Sequence, residues 1–152
     1  MNKLKQILLV EDDARDLELT KAALLENNVV NEIVVARDGA EALDYLYRRG
    51  PYSERTTGNP VVVLLDLNMP KVDGLEVLKQ LKADPDLKTL PVVMLTTSKE
   101  ESDLIKSYTL GVNAYVVKPL DFEQFVEAVK HIRMFWAIFN EPPPQSWICN
   151  AP

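Results

Sequence analysis

Val61-Val62-Val63-Leu64-Leu65-Asp66-Leu67-Asn68-Met69-Pro70 is an unbroken apolar run that stops at an acid. Its first five residues are apolar at consecutive rather than alternate positions, which marks a strand covered on both faces. Four similar runs surround it: Ile7-Leu8-Leu9-Val10, Ile33-Val34-Val35-Ala36, Val92-Val93-Met94-Leu95 and Ala114-Tyr115-Val116-Val117. The segments between them have helical spacing. Leu75, Val77, Leu78 and Leu81 form one apolar stripe, and Asp84-Pro85 ends it, because the residue before a proline is pushed out of helical geometry. Further helices are predicted over residues 14–27, 39–48, 99–110 and 121–140. Strict β-α alternation predicts an α/β fold, a doubly wound five-stranded parallel sheet in the order 2-1-3-4-5, extended by a C-terminal helix and tail. In such a sheet a site forms beyond the carboxyl ends of the strands, where the first and third diverge.

The chain has 152 residues, 47% of them apolar and 26% charged, enough for one core and one domain. Its net charge of −6 favours cations or basic partner surfaces and argues against nucleic acid. No stretch reaches the roughly 20 apolar residues of a membrane span. The apolar run after Lys3 and Lys5 is too short for a signal peptide, so a cytoplasmic location is expected. Cys149 is the single cysteine, which excludes an intrachain disulfide. Residues 50–59 make a long connection for two adjacent elements and are expected to be a surface insertion at the end opposite the site.

The residues just after four of the strands collect on one edge: Glu11-Asp12-Asp13, Asp66-Leu67-Asn68, Thr96-Thr97-Ser98 and Lys118-Pro119. Only the second strand contributes nothing to this set. Glu11, Asp12 and Asp66 would repel one another unless a cation sat among them, and an oxygen-rich pocket open to water suits Mg²⁺. The Asn68 carbonyl is placed to join them. Asp13 is expected either to support the cluster from behind or to cap the helix starting near Ala14. A carboxylate ending the central strand can act as a nucleophile and form an aspartyl phosphate, which makes Asp66 the candidate centre. Phosphoryl transfer needs positioning and charge neutralisation, which Mg²⁺ and Lys118 would supply, with the Thr96 hydroxyl donating to a phosphoryl oxygen.

Leu8-Leu-Val-Glu-Asp-Asp13, Leu64-Leu-Asp-Leu-Asn-Met-Pro70 with Asp73-Gly74, Val93-Met-Leu-Thr96 and Gly111-Val-Asn-Ala-Tyr-Val-Val-Lys-Pro119 together resemble the receiver domains of two-component response regulators, which have a CheY-like fold. The resemblance implies that Asp66 is the phosphoacceptor, that Glu11, Asp12 and Asp66 hold Mg²⁺, and that Thr96, Tyr115 and Lys118 are the switch hydroxyl, switch aromatic and lysine. It implies a phosphoacceptor that catalyses its own phosphorylation and dephosphorylation rather than a turnover enzyme. Residues 5–136 are expected to form the receiver and residues 137–152 an extension. Within that family, Leu67-Asn-Met-Pro-Lys71, Leu95-Thr-Thr-Ser98, the long 50–59 loop and Ile132-Arg-Met-Phe-Trp136 are similar to the small regulators paired with cyanobacterial phytochromes, which implies a phytochrome-type histidine kinase as donor. Two departures stand out. Thr97 occupies a position where most receivers have a small residue and is expected to narrow access, and Glu11 replaces the commoner Asp with a longer reach.

With no output domain expected, the signal would leave through the face formed by the fourth helix, fifth strand and fifth helix. Phe135, Trp136, Ile138 and Phe139 make the last helix apolar almost all round, which predicts a homodimer or partner surface there. Three other readings compete: an aspartate-nucleophile phosphatase, an FMN binder on the same fold, and a scaffold that works without phosphorylation. The first is disfavoured because its Asp-x-Asp follows the first strand. The second lacks a phosphate loop, and the third leaves an intact set of acids, Thr96 and Lys118 unused.

Overall fold

A computed structural model of the chain describes residues 6–26, 31–67, 69, 71–96 and 100–118. Among these residues five strands, β1 (Ile7–Val10), β2 (Ile33–Ala36), β3 (Val62–Leu65), β4 (Val92–Thr96) and β5 (Ala114–Val117), alternate with four α-helices, α1 (Ala14–Glu26), α2 (Gly39–Tyr47), α3 (Gly74–Ala83) and α4 (Glu101–Thr109). All strand pairs are parallel, and the sheet runs β2-β1-β3-β4-β5 as expected. The 121–140 helix, the tail and the extension beyond residue 136 lie outside the described residues.

Every residue of β1, β3 and β4 is buried, as consecutive apolar residues require. Leu8, Val10, Val63, Leu65, Val92 and Met94 pack with Ala42, Leu43 and Leu46 of α2 and Val77, Leu78 and Leu81 of α3. Alternation along a strand turns Ile7, Leu9, Val62 and Leu64 to the other face, and they are equally buried. The two outer strands depart from the sequence expectation. β2 is half-buried over Ile33–Val35, and β5 alternates buried and half-buried residues. Both are sheet edges with one strand neighbour, so apolar composition alone overstates their burial.

Helix ends follow local chemistry. Asp38 and Asp73 cap α2 and α3, their carboxylates accepting the Glu41 and Glu76 amides at 2.8 and 2.9 Å. Arg48 ends α2 in the left-handed conformation, one residue inside the predicted boundary. The 50–59 insertion is knitted to α2 rather than loose. Its Tyr52 hydroxyl donates to Glu41 at 2.8 Å, and the Arg55 guanidinium lies 4.2 Å from the Tyr45 ring centroid while donating to the Tyr45 carbonyl at 3.0 Å.

Candidate functional site

Backbone hydrogen bonds continue one residue past the strand ends and fix the chemically active positions. The Glu11 amide donates to Ala36, the Asp66 amide to Val10, and the Lys118 amide to Thr96, at 2.9, 3.0 and 2.7 Å. Three side chains from distant parts of the chain therefore start from rigid ladder positions rather than from free loops. Gly74 supports Asp66 from beneath. Its amide donates to Leu67 at 2.9 Å, and a Cβ there would fall well inside contact distance of the Asp66 carbonyl oxygen. Glycine is required by that close approach.

Glu11, Asp12 and Asp66 converge, each offering a carboxylate oxygen within 4.8 Å of the others. Glu11 and Asp66 are buried and Asp12 is half-buried. Lys118, also buried, brings an ammonium to them: it is ion-paired to Glu11, lies 3.0 Å from Asp16 and stands 3.6 Å from Asp66. Burial pushes the Glu11 carboxyl up to about 7, with the Asp66 charge adding to it and Lys118 opposing it. Burial likewise raises Asp66, opposed by a hydrogen bond with Glu11, by Lys118 and by the Leu67 amide, and reinforced by Asp12. For Lys118 burial disfavours the ammonium, but the Glu11 and Asp16 hydrogen bonds and the Asp66 charge outweigh it and raise its pKa.

Among the described residues, three acids, Glu11, Asp16 and Asp66, lie within 4 Å of the Lys118 ammonium and Asp12 joins two of them, so the pocket is short of positive charge. An all-oxygen donor set that includes two buried carboxylates fits a hard divalent cation, and Glu11, Asp12 and Asp66 are the residues that would hold it. Asn68 and Thr97 lie outside the described residues, as do Phe135, Trp136, Ile138 and Phe139. Thr96 is fully buried at the end of β4, and its carbonyl anchors Lys118. Tyr115 is half-buried on the edge strand beside Met94 and packs against the core. Asp13 is exposed; its amide donates to the Glu11 carboxylate at 3.3 Å, and its own carboxylate accepts the Asp16 amide at 2.8 Å, capping α1.

Sequence reasoning missed two groups. Asp16 reaches Lys118 from the first turn of α1. Its only sequence signal is that it shares a turn with the acidic end of β1. Arg37, directly after β2, donates to the Asp12 carbonyl at 3.2 Å, and Asp38 beside it pairs with Lys71 at 3.4 Å. The second strand thus does contribute, by bracing the loops that carry Asp12 and follow Asp66.

This sheet, with an acidic pocket and a buried lysine at its carboxyl edge, defines a class of signalling domain. Residues 7–130 match the response regulator receiver domain family, and the chain belongs to it. The chain is 43% identical over 135 residues to the response regulator Rcp1 of Synechocystis sp., covering 89% of this chain and 90% of that protein. Among solved structures it is similar to the bacteriophytochrome response regulator RtBRR, with 62% identity, a TM-score of 0.81 and coverage of 94% of this chain and 86% of that one. The bacteriophytochrome response regulator AtBRR gives 58% identity, a TM-score of 0.83, and coverage of 92% and 100%. A structure of Rcp1 in its Mn²⁺-bound form gives 41% identity, a TM-score of 0.73, and coverage of 92% and 99%.

Proposed function

We propose that the chain accepts a phosphoryl group on Asp66 from the phosphohistidine of a phytochrome-type histidine kinase, with Mg²⁺ held by Glu11, Asp12 and Asp66. The observation that carries this reading is the convergence of three carboxylates and the Lys118 ammonium at the end of β3. A bound divalent cation would supply charge neutralisation for the incoming phosphoryl oxygens. An Asp66 carboxylate oxygen attacks phosphorus, the P–N bond to the imidazole breaks, and the imidazole nitrogen keeps the electron pair. Lys118 offers its ammonium to the phosphoryl group, and Thr96 offers its hydroxyl. Mn²⁺ in the Rcp1 structure supports the cation, and the bacteriophytochrome regulators support the donor.

The new charge, about −1.5 to −2, draws Thr96 and Lys118 inward, and Tyr115 passes the movement to the α4–β5 face. Residues 5–136 act as the receiver. Residues 137–152, with Phe135, Trp136, Ile138 and Phe139 before and within them, supply a homodimer surface in the cytoplasm. No helix among the described residues is long and apolar enough to cross a membrane. Transfer from an autophosphorylated, radiolabelled bacteriophytochrome kinase tests the donor. The label should move to this chain and stay on the kinase when Asp66 is replaced by Asn. Label that never leaves the kinase would contradict the donor assignment.

A further inference from the structure

An ammonium has three donors, and among the described residues the near partners of Lys118 are Glu11 and Asp16, with Asp66 at 3.6 Å, beyond hydrogen-bond reach. Both partners hold the ammonium off Asp66, so bringing it onto a phosphoryl group there pulls against them. The Glu11 carboxylate is one of the three that would hold the divalent cation, which leaves Asp16 as the partner that ties Lys118 to α1. Asp16 is 31% exposed, so water can take over its solvation at little cost. It is also an acid in the first turn of a helix, a place where the amides welcome negative charge without Lys118.

We propose that Asp16 is a positioning residue that holds Lys118 on the α1 side of the pocket in the resting state and is the partner given up when a phosphoryl group forms on Asp66. The inference deepens the phosphoacceptor reading and rests on it. Asp16 touches no reacting atom; it acts through Lys118, by pulling its ammonium toward α1 and against the phosphoryl oxygens. Its loss makes the phosphoryl-bearing arrangement easier to reach.

Beryllium trifluoride, a stand-in for the phosphoryl group, tests this at equilibrium. Its affinity is measured by calorimetry in saturating Mg²⁺ for the wild type, Asp16→Asn, Asp16→Glu, Lys118→Gln and the Asp16→Asn/Lys118→Gln pair, with Mg²⁺ affinity measured separately. Asp16→Asn should bind the probe about threefold to fivefold more tightly, the scale of one partly exposed ion pair. Asp16→Glu, which restores the charge, should return to the wild-type value. The gain should vanish in the Lys118→Gln background, where the amide still donates to Glu11; Lys118→Met serves as that background if Lys118→Gln does not fold. An unchanged Asp16→Asn affinity overturns the inference, as does an equal gain with and without Lys118, which would be a simple charge effect. A wild type that binds no probe while binding Mg²⁺ overturns the phosphoacceptor reading and this inference with it.

Discussion

Glu11 and Lys118 are 107 residues apart in the chain and ion-paired in the fold. Each is buried, and each makes the other tolerable, since an unpaired charge there would be shed by protonation or deprotonation. The Glu11 carboxyl, pushed up to about 7, gives the pocket a pH dependence whose sign is fixed. In the metal-free protein the folded state holds that proton more tightly than the unfolded chain does. The Glu11 contribution to stability is therefore full below 4.5 and declines as pH rises to about 7. A divalent cation must displace the same proton, so Mg²⁺ affinity should rise as pH increases through about 7 and level off above it. Calorimetric titrations at several pH values would show this, and Glu11→Gln should weaken binding and flatten the profile. The acids and Lys118 were readable in the sequence because each follows an apolar run. Asp16 and Arg37 were not, because their contacts depend on how a helix turn and a loop are placed by the sheet, which no local pattern records.

At the scale of elements, the site depends on how α3 meets the end of β3. Gly74 lets the helix N-terminus lie against the Asp66 carbonyl. Gly74→Ala should force that contact apart, costing about 1–3 kcal/mol as overpacking does and displacing Asp66. Chemical denaturation would show the loss, and phosphoryl acceptance should fall with it. Asp38 plays a milder part as the cap of α2. The Glu41 amide holds its carboxyl below the usual range, with Lys71 helping. Asp38→Ala should cost about 1 kcal/mol. The wild-type advantage should be present above the ordinary aspartate pKa of 3.8 and fade as pH falls through the lowered folded value. Strand existence and order were legible because β1, β3 and β4 must be apolar on both faces. The half-burial of β2 and β5 was not, since Ile33–Ala36 reads as richly apolar as the central strands.

In the whole molecule the strand ends hold the acids and lysine, and α4 leads into β5 at one edge of the same sheet. Leu104, Ile105 and Tyr108 of α4 are exposed, so this face carries apolar surface. With the residue 135–139 cluster, it supports the homodimer proposal. Light scattering after size exclusion should give twice the chain mass at micromolar concentration, and Trp136→Ala should shift the protein toward monomer. A wild-type monomer under those conditions would remove the dimer from the account while leaving the phosphoacceptor pocket untouched. The central claim is chemical and is met most directly by intact mass after incubation with acetyl phosphate, with and without Mg²⁺, for the wild type and Asp66→Asn. The account predicts one added phosphoryl group that requires Mg²⁺ and is absent from the variant. A wild type that gains nothing from acetyl phosphate or a phosphorylated kinase, or an Asp66→Asn variant that gains as much, would contradict it.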